Sequence, residues 1–471
     1  MFPARAAGRS ILPPFARLAV ARHASTASPS PSPANSAAHS HRVVVVGAGA
    51  AGLTISHQLL RSRRFSQDEI AVVDPAAWHH YQPGWTLVGG GLKAKDRLQR
   101  PLQDLINPRL RHYRHKVDAF HPDSNSIMLD DGRHIAYEHL VVTPGIELDY
   151  DSIRGLPQAL ADRDSPVSSI YGYEFCDKAF KTIKHLKKGT AIFTQPTGIV
   201  KCAGAPQKIM WLALDHWKKT GSYSYGPGSA AAAESSPIKI KFATGLASLF
   251  AVPKYSAVLE QLRSQRGVEG YFQHDLVAIE GNEAVFNVAL PRPDGPGKGT
   301  ATATTTTTRK LKFDLLHVVP KMGPYAFIKK SPISDKAGYV DVDEATTRHR
   351  RYPNIWSAGD ASSLPTSETI AAITAQAPVL VHNMLRAMDG KMPDAVYDGY
   401  TSCPLLTKYG KVLLTEFKYG GEPSETFQRW FGIDQAVPRR AFYHLKKDFF
   451  PWVYYNSMVK GTWRGPKGWS I

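Results

Sequence analysis

The sequence predicts an α/β chain of two parallel-sheet units, the second inserted into the first, followed by an aromatic C-terminal region. Three observations predict it. Short apolar runs close on glycine at residues 41–47, 140–145 and 355–359, so two segments far apart in the chain repeat one strand-turn pattern. Between them, Thr190-Ala-Ile-Phe-Thr194 and Ile238-Lys-Ile-Lys-Phe242 read as strands of a separate unit. The chain has 471 residues, 43% hydrophobic and 21% charged, enough for two or three domains with ample cores.

In chain order, residues 1–67 hold no Asp or Glu, and Arg5, Arg9, Arg17 and Arg22 stand among Ala, Ser and Pro. Residues 1–40 therefore read as a mitochondrial transit peptide, although a disordered N-terminus shares that composition. The formal charge of +18 remains strongly positive without those arginines. No nucleic-acid motif accompanies it, so the expected partner is an anionic membrane surface or a small anionic substrate, and no nucleic acid.

The first unit is assigned to residues 41–160 and 325–390. His41-Arg-Val-Val-Val-Val-Gly-Ala-Gly-Ala-Ala-Gly-Leu53 reads as a buried strand, a glycine turn and a helix to about Leu60. Gly47 makes the turn, Gly49 lets backbone approach a pyrophosphate, and Gly52 lets the helix pack closely. Ile70-Ala-Val-Val-Asp74 is the next strand, and Asp74 lies about 20 residues on, where an acid holds a ribose 2′-hydroxyl. This is a Rossmann-like dinucleotide site. Trp356-Ser-Ala-Gly-Asp360 resembles the late Gly-Asp motif with which two-nucleotide flavoproteins hold a ribityl chain, and Thr143-Pro-Gly145 resembles their mid-chain motif. FAD is thereby favoured over NAD.

The second Rossmann-like unit, residues 161–324, departs from a nicotinamide site. No Gly-x-Gly-x-x-Gly follows Thr190–Thr194; the turn carries Pro196, Lys201, Cys202 and Pro206, and prolines lack the N–H donors that a phosphate uses. Gly221–Pro237 and Pro291–Thr308, the latter with an unbroken Thr304–Thr308, read as surface loops. The cysteines, Cys176, Cys202 and Cys403, lack zinc-like spacing, and no metal is expected; a pair that matters would be catalytic rather than structural. Each alone also fits an inert buried thiol, the reading kept for Cys176 in the helical stretch Glu174–Phe180. Cys403, in Tyr397–Leu405, is expected just before a turn.

Thr369–Leu385 carries no charge, but Gln376, Pro378, His382 and Asn383 interrupt it, so a buried helix is predicted rather than a membrane span. In the C-terminal region, residues 391–471, Phe442, Tyr443, Phe449, Phe450, Trp452, Tyr454, Tyr455 and Trp463 stand among Arg440, Lys446, Lys447 and Lys460. Rings with basic neighbours suit a membrane interface; an aromatic core or a dimer contact has the same composition.

At several of these segments the chain resembles the mitochondrial sulfide:quinone oxidoreductases, membrane-associated members of the two-dinucleotide-binding flavoprotein superfamily. The segments are His80-Tyr-Gln-Pro-Gly-Trp-Thr-Leu-Val88, Lys201-Cys-Ala-Gly-Ala-Pro-Gln-Lys-Ile-Met210, His349-Arg-Arg-Tyr-Pro-Asn354, Leu364-Pro-Thr-Ser367 and Asp398-Gly-Tyr-Thr-Ser-Cys-Pro-Leu405. The resemblance covers roughly residues 41–465 apart from the two low-complexity stretches. It implies that Cys202 and Cys403 form a redox-active pair, and that Ala51, Gly52, Asp74, Gln82, Val117 and Asp360 contact FAD. It further implies that hydrogen sulfide is oxidised at the pair, that ubiquinone takes the electrons, and that glutathione or sulfite takes the sulfur. The setting implied is peripheral and monotopic, on the matrix side of the mitochondrial inner membrane. Lys201 is a candidate for favouring anionic hydrosulfide and thiolate. One departure stands out: where the family often carries Lys after Pro-Thr-Ser, this chain has Glu368, which puts stabilisation of reduced flavin from that position in doubt. Two other readings keep the fold: a type 2 NADH:quinone dehydrogenase, against which the missing glycine motif counts, and a flavin-binding interaction protein.

Overall fold

The computed structural model describes residues 39–226, 229–289 and 306–463. The predicted leader therefore lies almost wholly outside the described residues.

The strand Ser40–Val46 sits inside a seven-stranded sheet, with Ile70–Val73 on one side and His134–Val142 on the other, all parallel. Its residues from Val43 onward are Val in an unbroken run and buried, the pattern of a strand covered on both faces. The nine-residue strand His134–Val142 takes two neighbours along its other edge. Its first half pairs antiparallel with Ser126–Leu129, and its last three residues pair parallel with Ile355–Ser357, which arrives from far downstream. Both predicted segments thus end side by side. The helices Ala50–Arg61 and Ile370–Met388 pack on each other through Leu53, Leu59, Ile373 and Leu380. Thr369 caps the second helix by accepting the Ala372 N–H, and the chain runs helical through Pro378.

Between residues 142 and 355 the chain builds a second sheet of five parallel strands in the order Val167–Ser168, Leu315–His317, Gly189–Gln195, Ile238–Thr244, Glu269–Phe272. Helix Ala205–Lys219 follows Gly189–Gln195 and is buried along most of its length. An antiparallel sheet of His274–Glu280, Glu283–Ala289 and Thr306–Lys312 flanks this unit. Within the described parts of the two stretches read as loops, Ser229–Glu234 is helical and residues 306–308 open the strand Thr306–Lys312. Three threonines open that strand, and β-branched residues suit a pleated edge even where the surrounding composition is repetitive. Residues 290–305 lie outside the described residues.

The C-terminal region starts with the hairpin Thr401–Lys408 and Lys411–Phe417, which packs on helix Ala205–Lys219. Cys403 therefore lies within a strand, opposite Thr415, and not before a turn. Beyond the hairpin, short helical segments run from Thr426 to Met458, with wide π-type turns at Leu445–Phe449 and Tyr454–Met458. Tyr454 and Met458 join the first unit's core; the His79 imidazole meets the Tyr454 hydroxyl at 2.6 Å. Trp452 is 60% exposed, Trp430 57% and Phe431 65%. Part of the aromatic region is thus core and part faces outward. Among the described residues, no helix is long and apolar enough to cross a membrane.

Candidate functional site

A cavity of about 1030 Å³ runs from the first glycine turn to the C-terminal segments. Gly47, Gly49, Ala51, Asp74, Gln82, Val117, Gly145, Asp360 and Cys202 all line it. Gly52 does not. A Cβ on Gly52 would stand 1.8 Å from the Gly47 carbonyl oxygen, so this glycine serves helix-to-turn packing instead of facing the cavity. Gly47 has a φ of +93°, and a Cβ there would meet the Thr143 carbonyl at 2.6 Å. A Cβ on Gly49 would meet nothing within 4 Å, which leaves its backbone open to the cavity. The Asp74 carboxylate ties this end together by accepting the Ala48 N–H at 2.6 Å and the Ala76 N–H at 2.8 Å.

The other half of the site comes from the second sheet and the hairpin. Cys202 sits between strand Gly189–Gln195 and helix Ala205–Lys219 with a φ of +58°, a left-handed conformation in which a residue other than glycine is uncommon. Its N–H donates to the Glu368 carbonyl at 2.9 Å, and its own carbonyl accepts from Ala205 at 2.7 Å. Cys403 is held from the hairpin: its N–H donates to Thr415 Oγ1 at 3.1 Å, and that hydroxyl donates to the Cys403 carbonyl at 3.0 Å. The two Sγ atoms are 3.0 Å apart. Gly204 makes the approach possible, since a Cβ there would lie 2.8 Å from Cys403 Sγ and 2.4 Å from Leu405 Cδ2.

Lys208 lies one turn into the helix, buried, with its Nζ 3.1 Å from Cys202 Sγ. The hydrogen bond from Cys403, helped by Lys208 and by the more distant Lys446, outweighs burial and holds the Cys202 thiol well below its ordinary range. Cys403 moves the opposite way, because it shares the hydrogen bond with Cys202 and is buried. One sulfur is thus a ready thiolate and its neighbour a proton-holding thiol. Cys176 stays apart at the head of helix Cys176–His185; burial pushes its thiol up to about 12.

A search of protein-family models finds none that matches. The chain is 43% identical over 440 residues to the mitochondrial sulfide:quinone oxidoreductase of Schizosaccharomyces pombe, covering 89% of this chain and 90% of that one. The chain belongs to the sulfide:quinone oxidoreductase family. The mitochondrial sulfide:quinone oxidoreductase of Dictyostelium discoideum is 41% identical over 421 residues, with 88% and 85% covered. Among solved structures, the sulfide:quinone oxidoreductase of Aquifex aeolicus superposes with a TM-score of 0.68 at 15% identity, covering 89% of this chain and 92% of that one. A chain of the Tetrahymena thermophila mitochondrial ATP synthase superposes with a TM-score of 0.75 at 20% identity, covering 92% and 99%. These two likenesses show the fold: two nucleotide-binding-type sheets with the second inserted, as the sequence predicts.

Within this sulfide:quinone oxidoreductase fold, Lys201 is not the lysine at the thiolate. Its Nζ donates instead to Gln82 Oε1 at 3.3 Å and faces Asp360. Sequence reasoning missed Lys208, whose signal was a lone lysine inside the apolar run Ala205–Leu214. It also counted Lys446 among the basic neighbours of the rings at a membrane interface. That side chain turns inward, is buried, and donates to the Pro83 carbonyl at 3.1 Å. Burial and the nearby Lys208 charge push Lys446 down to about 7. Glu368, also on the cavity wall, is pushed up to about 8 by burial and by Asp360.

Proposed function

We propose that this enzyme oxidises hydrogen sulfide through the Cys202/Cys403 pair, passes the electrons by way of FAD to ubiquinone, and hands the sulfur to glutathione or sulfite. The observation that carries the reading is the pair itself: two sulfurs 3.0 Å apart, one of them, Cys202, 3.1 Å from a buried ammonium and on the wall of a cavity that begins at a dinucleotide turn, the other, Cys403, buried behind it.

The cavity's glycine end fits FAD. The open backbone at Gly49 suits a pyrophosphate, Asp74 a ribose hydroxyl, and Gly145 and Asp360 the chain toward the ring. Bound there, FAD supplies a two-electron acceptor that can pass electrons on to a quinone. The protein's own part is sulfur chemistry. Hydrosulfide attacks Cys403 Sγ of the oxidised pair; a sulfur–sulfur bond forms there, the bond to Cys202 breaks, and Cys202 leaves as a thiolate. Lys208 stabilises that thiolate, which gives up its two electrons toward the flavin site. The acceptor then attacks the outer sulfur on Cys403, and the pair closes again.

The outward rings at Trp430, Phe449 and Trp452, beside Lys447, suit the headgroup level of a membrane, and Trp430 and Phe449 also line the cavity. Ubiquinone would enter between them at the matrix face of the inner membrane, in the organelle that the relatives' names give. A type 2 NADH:quinone dehydrogenase is the weaker reading, because Cys202 occupies the turn where a nicotinamide dinucleotide needs glycine. Anaerobic sulfide should bleach the oxidised flavin of the wild type and do so far more slowly in Cys202→Ser and Cys403→Ser; undiminished bleaching in both overturns the mechanism.

A further inference from the structure

Glu368 stands where two cavities meet. On one side it lines the main cavity beside Cys202 and Asp360; on the other it lines a void of about 10 Å³, room for about one water. That void is walled by polar groups, among them Ser362, Thr366, Thr369 and Gln376. Glu368 is also tied to the reacting cysteine through its backbone, since its carbonyl accepts the Cys202 N–H at 2.9 Å. A carboxyl so placed cannot easily carry a negative charge while Cys202 and Asp360 carry theirs.

We propose that Glu368 is the proton-exchanging residue of the cysteine half-reaction: it takes up one proton when the Cys202–Cys403 bond opens to a Cys202 thiolate, and releases it through the polar void when the pair closes. In turnover that proton is the S–H proton of hydrosulfide. The new sulfur–sulfur bond forms on Cys403, the electron pair of the broken bond goes to Cys202, and the proton goes to the Glu368 carboxylate. Once the electrons have passed on and the Cys202–Cys403 bond has closed again, the thiolate charge that held the proton is gone and it leaves. The groups facing Glu368 are Asp360, Cys202, Tyr339 and Tyr397, with Lys201 set against Asp360. Burial and Asp360 are fixed features of the site, whereas the Cys202 charge comes and goes. Burial and Asp360 raise Glu368 more than Cys202 does, so the extra proton is taken up in a narrow span just on the acid side of about 8, where Glu368 titrates with the thiolate present.

This inference rests on the cysteine-pair reading, and the test separates the two. The FAD-loaded full-length enzyme is equilibrated in thiol–disulfide buffers from about pH 6 to about pH 8, quenched, alkylated and weighed. Buried Cys176 serves as the constant third thiol, so the protein carries one label when the pair is closed and three when it is open. Just below pH 8 the wild-type equilibrium should shift more per pH unit than that of Glu368→Gln, by up to tenfold, which is about 30 mV for a two-electron couple, and Glu368→Asp should restore the steeper dependence. Parallel pH dependences in wild type and Glu368→Gln overturn the proposal. A wild type that shows no two-thiol transition sinks the cysteine-pair reading instead. Should Glu368→Gln not fold, infrared difference spectra of wild-type enzyme labelled with isotopic glutamate decide. A protonated-carboxyl band that appears on opening the pair supports the assignment, and its absence refutes it.

Discussion

Replacing Gly204 by alanine tests whether the spacing of the two sulfurs governs the chemistry. Gly204 has a φ of −89°, so the backbone itself does not demand glycine there, and the effect of a methyl group is steric. The new Cβ would stand 2.8 Å from Cys403 Sγ and 2.4 Å from Leu405 Cδ2. Contact distances begin at roughly 3.5 Å, so the sulfur must retreat by roughly 0.7 Å and the leucine methyl by roughly 1.1 Å. Overpacking of this kind costs about 1–3 kcal/mol of stability. A misplacement near 1 Å at reacting atoms lowers rates on the order of 100-fold. Stopped-flow mixing of anaerobic sulfide with Gly204→Ala should thus show flavin reduction slowed by about 10- to 100-fold, with FAD still bound. Trimming Leu405 to valine in the same variant should recover part of the loss. Reduction at the wild-type rate in folded Gly204→Ala would refute the reasoning.

Two further outcomes follow from the C-terminal segment. Lys446 is pushed down to about 7, so its charge supports the Cys202 thiolate below that pH and fades as pH rises through it. Lys446→Met should therefore reduce more slowly than wild type on the acid side and match it on the alkaline side; a constant ratio across pH would count against the assignment. Changing Trp430 and Trp452 together to serine removes two rings that are more than half exposed, and should weaken sedimentation with anionic vesicles at least several-fold while leaving sulfide-driven flavin reduction intact. Unchanged vesicle binding would remove these rings from the membrane face.

The glycine turn, the strands at Ile70, Leu140 and Ile355, and the helix Ile370–Met388 over the uncharged run Thr369–Leu385 were legible because each is a local pattern: an apolar run, a glycine turn, a stretch without charge. The pairing of Cys202 with Cys403 was not. Nothing local joins positions 201 apart, and only the family resemblance brought them together before the fold did. Lys208 and Lys446 escaped for a related reason. A lysine is read as solvated by default, and what buries these two is the hairpin and the C-terminal segments closing over the cavity. The threonine run misled in the opposite direction, since repetitive composition concealed a β-branched edge strand.

The distance between the two cysteines along the chain has a consequence for durability. In the proposed cycle, a bond between residues 201 apart ties off a very long loop, and loop-closure entropy makes such a tie worth about 5 kcal/mol against unfolding. Each turnover unfastens that clasp and fastens it again. An enzyme waiting for sulfide would be hard to melt or to digest, and one saturated with it would be softer, so that the substrate sets the toughness of its own catalyst.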